Sequence, residues 1–330
     1  MKVLIVTNMY PSPEMPSFGT FVHDQVEALR AAGVELDVFF FNGRKSKLNY
    51  LTAFPRFWWH LLRHRYDLIH AHYVLAGIVA RAQWGHRLVL THHGGETLGH
   101  QPFQAKLCRW LTPLCDATIH VTEQIRQTLG DDDGWVIPCG VDLDRFAPLP
   151  RDAARRQLGL PADRPLVLFA GEHWRPEKQF GLVEAAMTQV HEALPEAELV
   201  LLSGKPHDVV PAYMSACDAL ILTSSFEGSP MVVKEAMAAN LPVVSVHVGD
   251  VPEVIGETPG CALADRDPGD LAKKLIAVLR RRERTDGRAR IEHLRHDRTA
   301  ERVLEVYRRV MQPRRRLWRR AARPQREVQP

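Results

Sequence analysis

Two glutamates, Glu227 and Glu235, stand eight positions apart on either side of a predicted helix start. Pro230 suits the first position of that helix, where its missing N–H is not needed, and Ser229 suits the N-cap. Both carboxylates can accept hydrogen bonds from neutral hydroxyl groups, such as those of sugars. The flanking segments are apolar and strand-like: 219–223 before the helix and 242–246 after it. The pattern predicts a strand–helix–strand unit of an α/β sheet.

The start of this predicted helix also offers unpaired backbone amides. Met231 and Val232 would point free N–H groups out of the helix N-terminus, at the carboxyl end of a strand, which favours an anion. A phosphate fits there, beside the two glutamates. The simpler interpretation is a pair of solvated carboxylates on a surface helix. The choice between the two depends on the rest of the chain.

A polar cluster also follows a strand in the first half of the chain. Residues 87–90 are predicted to form a strand and 91–96 read Thr-His-His-Gly-Gly-Glu, so His93 lies where open α/β sheets bind ligands. Gly19, at the entrance of another predicted helix, could let the backbone approach a phosphate or a sugar, although a simple turn is the alternative. The first strand is not followed by Gly-x-Gly-x-x-Gly, which disfavours a dinucleotide site.

Several histidines near strand ends are candidate metal ligands: His70, His72, His92 and His93. Two pairs could converge from adjacent strand ends, but no cysteine or paired acid completes a recognisable zinc spacing. Nor does an Asp-x-Asp pair accompany the predicted phosphate site. We therefore expect neither a metal nor a cofactor.

Length and composition favour two domains. With 330 residues, of which 45% are hydrophobic, the chain can bury two cores. Predicted strands and helices alternate, and the apolar run 165–171 restarts this pattern in the second half. Such alternation predicts doubly wound parallel sheets.

Charge and cysteine content limit the partners and the compartment. The net charge is only +4 and the basic excess is local, at 314–326 and around 56–65, so we expect no nucleic acid partner. Five cysteines without a Cys-x-x-Cys spacing indicate buried thiols of a reducing compartment. We find no signal peptide and no apolar run of membrane length, which favours a cytoplasmic protein.

In this setting, the pair Glu227 and Glu235 resembles the donor-site motif of retaining glycosyltransferases of family 4, which have the GT-B fold. Three further segments resemble parts of that family. Residues 93–96 resemble its His-Gly-x-Asp motif with Glu96 for Asp, 139–148 its interdomain segment with Cys139 for Asn, and 249–254 its Gly-Gly-x-Pro-Glu turn with Asp250 for the second Gly.

The resemblance implies two Rossmann-like, doubly wound parallel-sheet domains that face each other across a cleft. The second domain is expected to lack one helix–strand unit, because Lys205 is followed almost directly by 209–218. The expected divisions are a first domain at 1–152, a second domain at 153–297, a helix at 298–312 that returns to the first domain, and a basic, disordered tail at 313–330.

The resemblance also implies transfer of a sugar from a nucleotide diphosphate sugar to an acceptor hydroxyl, with retention at the anomeric carbon. His93 and Glu227 would be the catalytic residues, His93 as a hydrogen-bond donor to the sugar. Six residues would bind the donor: Gly19, Arg175, Lys178, Met231, Val232 and Glu235. In this assignment Arg175 and Lys178 hold the diphosphate and Glu235 holds the ribose, whereas a solvated basic loop is the alternative for the two cations.

Two other functions stay open on the sequence alone. A nucleotide-sugar epimerase could share the fold, although none of the acid and base motifs of that group is present. A non-catalytic partner subunit could keep the sugar-nucleotide site without turnover, and the shortened second domain is compatible with it. The sequence does not specify the sugar, the nucleobase or the acceptor.

A predicted helix at about 51–63 has two different faces. Five residues at helical spacing form a stripe predicted to pack on the sheet: Phe54, Phe57, Trp58, Leu61 and Leu62. Arg56, Trp59 and Arg63 share another face with His60, which suits an anionic membrane surface. The basic tail with Trp318 would add a second contact, so we expect peripheral attachment to the inner membrane and a lipid-linked or cell-envelope acceptor. A solvated basic face is the alternative.

Overall fold

The computed structural model describes residues 1–99 and 102–312. Six strands form a parallel sheet in the first half: β1 Lys2–Thr7, β2 Glu35–Phe40, β3 Leu68–His72, β4 Arg87–His92, β5 Ala117–His120 and β6 Trp135–Val136. Their order in the sheet is β2-β1-β3-β4-β5-β6. The uninterrupted apolar run of β1 therefore lies inside the sheet, as its composition predicts.

Helices cover both faces of this first sheet. They are α1 Thr20–Ala31, α2 Leu48–Arg63, α3 Val74–Arg81, α4 Pro102–Leu111 and α5 Glu123–Leu129, with a 3₁₀ turn at Thr112–Leu114. Helices α2 to α5 share one hydrophobic core with the sheet, and α1 contributes to the core on the other face. The carboxyl ends of all six strands thus remain at one edge of the layer.

The second half forms a parallel sheet of five strands. These are β7 Leu166–Ala170, β8 Glu198–Leu202, β9 Ala219–Leu222, β10 Val243–Val246 and β11 Ala262–Ala264, in the order β11-β10-β9-β7-β8. Between β8 and β9 the chain forms only helical elements, a 3₁₀ turn at His207–Val209 and a helix at Val210–Ala216. The predicted fold class, two facing parallel-sheet domains of which the second is shortened, is confirmed.

Eight helices follow in the remainder of the described chain. They are α6 Arg151–Leu158, α7 Phe180–Ala193, α8 Val210–Ala216, α9 Met231–Ala238, α10 Val251–Ile255, α11 Pro268–Arg281, α12 Gly287–Arg290 and α13 His296–Met311, with 3₁₀ turns at Pro176–Lys178 and Glu292–Leu294. The core of the second domain takes residues from most of these helices and from all five strands of its sheet.

The last described helix, α13, packs on the first sheet beside α1. Val303 and Val306 are fully buried there, and the hydroxyl of Tyr307 lies 2.6 Å from Nδ1 of His70. The chain also crosses between the domains at Val141 and Arg295, which form a parallel bridge. The basic tail predicted at 313–330, including Trp318, lies outside the described residues.

One part of the sequence prediction for α2 is wrong. Phe57 is fully buried, but Trp58 is 39% exposed and Leu62 is 76% exposed, although both were assigned to the packed stripe. The buried arc of α2 is centred on Ala53 and Phe57, because the helix also packs against α3. Trp58 and Leu62 are each one position beyond a packed residue, and this turns them outward.

Candidate active site

The loop between β9 and α9 carries Glu227 and is fixed by its surroundings. Arg266 donates to the carbonyl oxygens of Thr223 at 3.1 Å and Ser224 at 2.7 Å. The hydroxyl of Thr223 donates to the carbonyl oxygen of Lys178 at 2.8 Å. The loop of Glu227 and the loop of Lys178 are therefore held side by side at the carboxyl edge of the second sheet.

Lys178 and Glu227 form an ion pair in this position. The Nζ atom of Lys178 lies 2.6 Å from Oε1 of Glu227, and the side chains are 18% and 22% exposed. Partial burial strengthens such a pair relative to one in bulk water. The two groups predicted to act on the diphosphate and on the sugar are thus in direct contact.

The N-terminus of α9 lies directly after this pair in the chain. Pro230 is extended and serves as the N-cap, so Met231 is the first helical residue. The prediction that Ser229 is the N-cap is wrong, because its hydroxyl donates to Oδ2 of Asp250 at 2.6 Å. Among the described residues, the amides of Met231 and Val232 have no hydrogen-bond partner. The predicted pair of free donors at the helix start is present.

A buried lysine that the sequence analysis missed supports this helix start. Lys234 is fully buried, and its Nζ donates to the carbonyl oxygen of Cys139 at 2.8 Å and lies 3.0 Å from Oδ2 of Asp250. It also donates to the hydroxyl of Ser229. The available signal was a lysine inside an otherwise apolar helix segment, since a buried ammonium requires acceptors. Lys234 links α9 to the interdomain segment.

Glu235 lies in the second turn of α9 and is only 7% exposed. Its Oε1 lies 3.3 Å from Nε2 of His207, which belongs to the short connection after β8. The Nδ1 atom of His207 is buried without a partner among the described residues. The shortened connection therefore brings a histidine to Glu235, which the sequence alone did not predict.

Arg175 does not join the Lys178 pair. Its Nε donates to Oε1 of Glu177 at 2.6 Å, and its Nη1 lies 3.4 Å from Oε2 of Glu172. Both acids lie within three residues of Arg175, in the loop that follows β7. The structure thus places Arg175 near the predicted diphosphate position but engages its guanidinium with local carboxylates.

In the first domain, His93 follows β4 and is surrounded by rings. Its Nε2 lies 3.0 Å from Nδ1 of His72, and its ring centroid lies 4.7 Å from that of Tyr73 and 5.0 Å from that of Phe21. Burial, together with the nearby His72 and His92, holds the pKa of His93 well below its usual range. His93 is therefore a neutral ring at physiological pH.

Tyr73 is a second residue of this site that sequence reasoning missed. Its φ of 71° is unusual for a non-glycine residue, and it caps α3 directly after the carboxyl end of β3. Burial raises the pKa of Tyr73, and the negative charges of Glu96 and Glu227 add to this effect. The charge of Glu227, a residue of the second domain, therefore acts on the Tyr73 hydroxyl.

The loops of His93 and Glu227 meet at glycines. A Cβ atom at Gly228 would lie 2.1 Å from the carbonyl oxygen of His93, and one at Gly94 would lie 2.5 Å from Cα of Gly228. These distances leave no room for a side chain at either position. The contact brings the predicted catalytic residues of the two domains to adjacent positions in the cleft. A cavity of about 370 Å³ next to it is lined by Leu98, Gln124, Phe226, Glu227 and Gly249.

Gly19 has a structural reason of its own. It caps α1 with φ of 74°, and a Cβ atom there would lie 2.5 Å from the carbonyl carbon of Met9. Two residues later, Phe21 contacts the ring of His93. Gly19 therefore forms the turn that places Phe21 against His93.

The acid that replaces the family aspartate, Glu96, is buried away from the cleft. Its Oε1 lies 3.0 Å from Nδ1 of His92, and its carboxylate accepts the amide of Val74 at the start of α3.

His92, Glu96 and Cys108 form a set of three potential metal ligands whose atoms lie within 4.8 Å of one another, a grouping that the sequence did not predict. Hydrogen bonds occupy these atoms: His92 also contacts Thr112, and the Cys108 thiol points at the carbonyl of Glu96. Burial raises the pKa of that thiol, which disfavours the thiolate that a metal requires.

Two facing parallel-sheet domains, with polar groups of both converging where their strand ends meet, define a GT-B glycosyltransferase. The sequence agrees with this class. Residues 18–145 match the family model described as Glycosyltransferase Family 4, and residues 200–281 match the model described as Glycosyl transferases group 1.

Curated relatives have the same type of activity. The chain is 30% identical over 312 residues to a D-inositol 3-phosphate glycosyltransferase of Thermomonospora curvata, covering 73% of this chain and 71% of the relative. It is 25% identical over 325 residues to the putative teichuronic acid biosynthesis glycosyltransferase TuaC of Bacillus subtilis, covering 78% and 84%. It spans 62% of the D-inositol 3-phosphate glycosyltransferase of Geodermatophilus obscurus, at 28% identity. This chain belongs to glycosyltransferase family 4, a family of retaining enzymes.

Solved structures show the same fold. Sucrose-phosphate synthase from Thermosynechococcus elongatus superposes with a TM-score of 0.79 at 21% identity, covering 94% of this chain and 98% of that one. Anabaena HepE in complex with UDP gives a TM-score of 0.69 at 16% identity, covering 94% and 100%. At these identities the likeness concerns the fold. Among the described residues, no helix is long and apolar enough to span a bilayer.

Proposed function

We propose that this protein transfers a sugar from a nucleotide diphosphate sugar to an acceptor hydroxyl, with retention at the anomeric carbon. The observation that carries the proposal is the ion pair of Lys178 and Glu227, 2.6 Å apart, next to the unpartnered amides of Met231 and Val232. A cation and two free N–H groups suit a diphosphate, and a carboxylate beside them suits sugar hydroxyls.

The diphosphate is held on the second domain. Lys178 and the amides of Met231 and Val232 supply positive charge where the leaving group becomes more negative, which is the strongest kind of stabilisation available in a partly buried site. A bound diphosphate competes with Glu227 for the Lys178 ammonium, so donor binding frees the Glu227 carboxylate for the sugar. Arg175 contributes less, because Glu177 and Glu172 already hold its guanidinium.

Glu235 binds the ribose and Glu227 the transferred sugar. The Glu235 carboxylate is largely buried and has His207 as its protein contact, which leaves acceptor capacity for hydroxyl groups. His93 donates a hydrogen bond to the sugar from the first domain. In a front-side displacement the leaving phosphate takes the acceptor proton, so the protein supplies orientation and charge rather than a nucleophile.

Nucleotide binding and turnover test the proposal. HepE has been solved with UDP and with UDP-glucose, so uridine donors come first. Calorimetric titration with UDP, GDP, ADP and dTDP should give one clear preference, and release of nucleotide from the matching sugar donor should be measurable. Tight binding without release would instead favour the non-catalytic partner. Turnover should persist in EDTA, because Lys178 and the helix amides replace a metal as counter-charge; full loss of activity that Mg²⁺ restores would contradict this.

We also assign the first domain to residues 1–152, the second to 153–297 and the returning helix to 298–312. The contact of Tyr307 with His70 supports the return of the last helix to the first domain. The paired crossings at Val141 and Arg295 lie near the two proposed boundaries, although Val141, Leu143 and Phe146 already pack in the core of the second domain.

For the acceptor, we propose a lipid-linked or cell-envelope molecule, reached by attachment to the inner face of the plasma membrane. The predicted cationic face of α2 supports this: Trp59 is 57% exposed, and the guanidinium of Arg63 lies 4.2 Å from its ring centroid. The outward Trp58 and Leu62 enlarge the same surface, and Trp84, 83% exposed, lies 5.9 Å from Trp58 between ring centroids. An apolar patch ringed by cations suits an interfacial position.

The distribution of charge strengthens this assignment. Between residues 38 and 115 the chain has ten lysine and arginine residues but only two acids, Asp67 and Glu96. Glu96 is buried, and Asp67 accepts the backbone amide of Lys2 at 2.7 Å. Two of the ten cations pair with acids outside this range, Lys45 with Glu14 and Arg87 with Asp116. Arg56 and Arg63 of α2 remain to attract an anionic bilayer, where each cation near the surface contributes about 1 kcal/mol.

Co-sedimentation with liposomes tests the membrane assignment. Binding should require anionic lipid, weaken with salt and fall when Arg56, Trp59 and Arg63 are replaced by Ser. The control variant Lys273→Ser/Arg280→Ser removes two exposed charges from α11 of the second domain and should bind like the parent. Equal binding to neutral vesicles, or no loss in the triple variant, would leave this surface as an ordinary solvated face.

A further inference from the structure

His72 contacts the ring of His93 and has no role in the function proposed above. It is the last residue of β3 and is 1% exposed. Its Nδ1 lies 3.0 Å from Nε2 of His93, and the two rings stack with centroids 5.2 Å apart and an interplanar angle of 24°. The parallel pairing of β3 with β4 brings the two histidines together at the carboxyl edge of the sheet.

A hydrogen bond between two imidazole nitrogens needs one proton between them. Burial lowers the pKa of His72 to about 3 and holds that of His93 well below its usual range. Both rings are therefore neutral near pH 7, and each has one N–H. Whichever ring donates in this bond determines which nitrogen of His93 bears the proton.

We propose that His72 is a positioning residue: its Nδ1–H donates to Nε2 of His93, so that Nδ1 of His93 bears the hydrogen offered to the sugar. This inference rests on the role proposed for His93. Among the described residues, Nδ1 of His93 has no hydrogen-bond partner, which leaves it available to substrate. The rings of Tyr73 and Phe21 pack against the imidazole of His93 and fix its orientation. The hydrogen bond to His72 then determines the tautomer of His93.

If His93 instead donated to His72, its Nδ1 would be a lone pair and would accept rather than donate. A sugar hydroxyl could then only donate a hydrogen bond to His93. That arrangement would not stabilise negative charge that develops on a sugar or phosphate oxygen in the transition state. The two tautomers therefore predict different chemistry at the same atom.

Two replacements at His72 separate these roles. In His72→Asn, the side-chain amide nitrogen takes the place of Nδ1 and can still donate, so kcat for nucleotide release from UDP-glucose should stay within about threefold of the parent. In His72→Leu the donor is lost, and kcat should fall about tenfold with little change in KM, the effect expected for one lost hydrogen bond. His120→Leu is the matched control, since His120 is equally buried at the end of β5 and bonds Asp131 rather than His93. It should lower thermal stability without lowering kcat.

The ¹⁵N shifts of the imidazole nitrogens give a readout independent of activity and usable if His72→Leu fails to fold. In the parent and in His72→Asn, His93 should be protonated at Nδ1. Protonation at Nε2 would overturn the inference, as would parental kcat in His72→Leu or an equal loss in His72→Asn and His72→Leu. His93→Ala separates this from the function itself. If it keeps parental turnover, the role of His93 fails; if it is inactive while His72→Leu is not, only the role of His72 fails.

Discussion

The two sides of the cleft are built from different interactions. On the second domain, each carboxylate of the site has one protein partner: Glu227 pairs with Lys178, and Glu235 contacts the imidazole of His207. On the first domain, neutral rings pack around His93, and its Nε2 lies 3.0 Å from the imidazole of His72. The donor side is therefore organised by charge and the opposite side by packing and by the position of a proton. Changes that remove charge and changes that disturb packing should affect different parameters.

The largest effect is expected where the two sides touch. In Gly228→Ala, the new Cβ would lie 2.1 Å from the carbonyl oxygen of His93, and backbone on both sides prevents relief by a side-chain rotation. The domains should no longer approach correctly, and kcat/KM should fall at least about 100-fold. The control Gly95→Ala adds the same methyl group in open space, with no atom within 4 Å. Parental kinetics in Gly228→Ala would mean that this contact is not used in turnover.

Removing one cation from the donor side should lower activity somewhat less than Gly228→Ala does. Lys178→Ala should lower kcat about 100-fold, the range found when a donor to developing charge is deleted. Arg175→Ala should lower it only a few-fold, because Glu177 and Glu172 hold that guanidinium. Initial rates of nucleotide release for the two variants test this order. Equal losses would show that Arg175 leaves its carboxylates when the donor binds.

Acid should destabilise the first domain through its buried histidines. Burial lowers the pKa of four histidines in or directly beside the first sheet: His70, His72, His93 and His120. Below the usual histidine pKa of 6.5 the unfolded chain binds protons that the folded rings do not, so stability falls as pH decreases and is constant above that value. Each histidine contributes a slope of up to about 1.4 kcal/mol per pH unit.

Urea unfolding at pH 7.5, 6.5 and 5.5 measures this slope. The variant His120→Asn removes one of the four titrating rings and should make the slope shallower. A free energy of unfolding that is independent of pH in this range would contradict the assignment of four neutral buried rings.

The sequence predicted the donor side better than the opposite side, for a physical reason. Glu227, Pro230, Met231 and Glu235 lie within one short segment, so local helix geometry determines their arrangement. The contact of His72 with His93 joins residues 21 positions apart, and that of Lys234 with Cys139 joins residues 95 positions apart. Such partners depend on the order of strands and on domain packing, which a single sequence does not specify.

The error on α2 has a similar origin. Helical periodicity correctly separated a buried side from an exposed one, and Phe57 is buried as predicted. The exact arc depends on where α3 packs, and a shift by one residue turns Trp58 and Leu62 toward solvent. Likewise, Ser229 is a good N-cap by type, but Lys234 and Asp250 engage its hydroxyl instead.

The most direct test of the account compares Glu227→Gln with Glu235→Gln in steady-state kinetics on UDP-glucose, or on the donor of whichever nucleotide binds best. Both changes keep the size of the side chain and remove its charge. Glu235→Gln should raise KM with little change in kcat, because it weakens ground-state nucleotide binding. Glu227→Gln should lower kcat with little change in KM, because its contacts to the sugar strengthen as charge develops. Parental kinetics in both variants would contradict the placement of the donor site on the second domain.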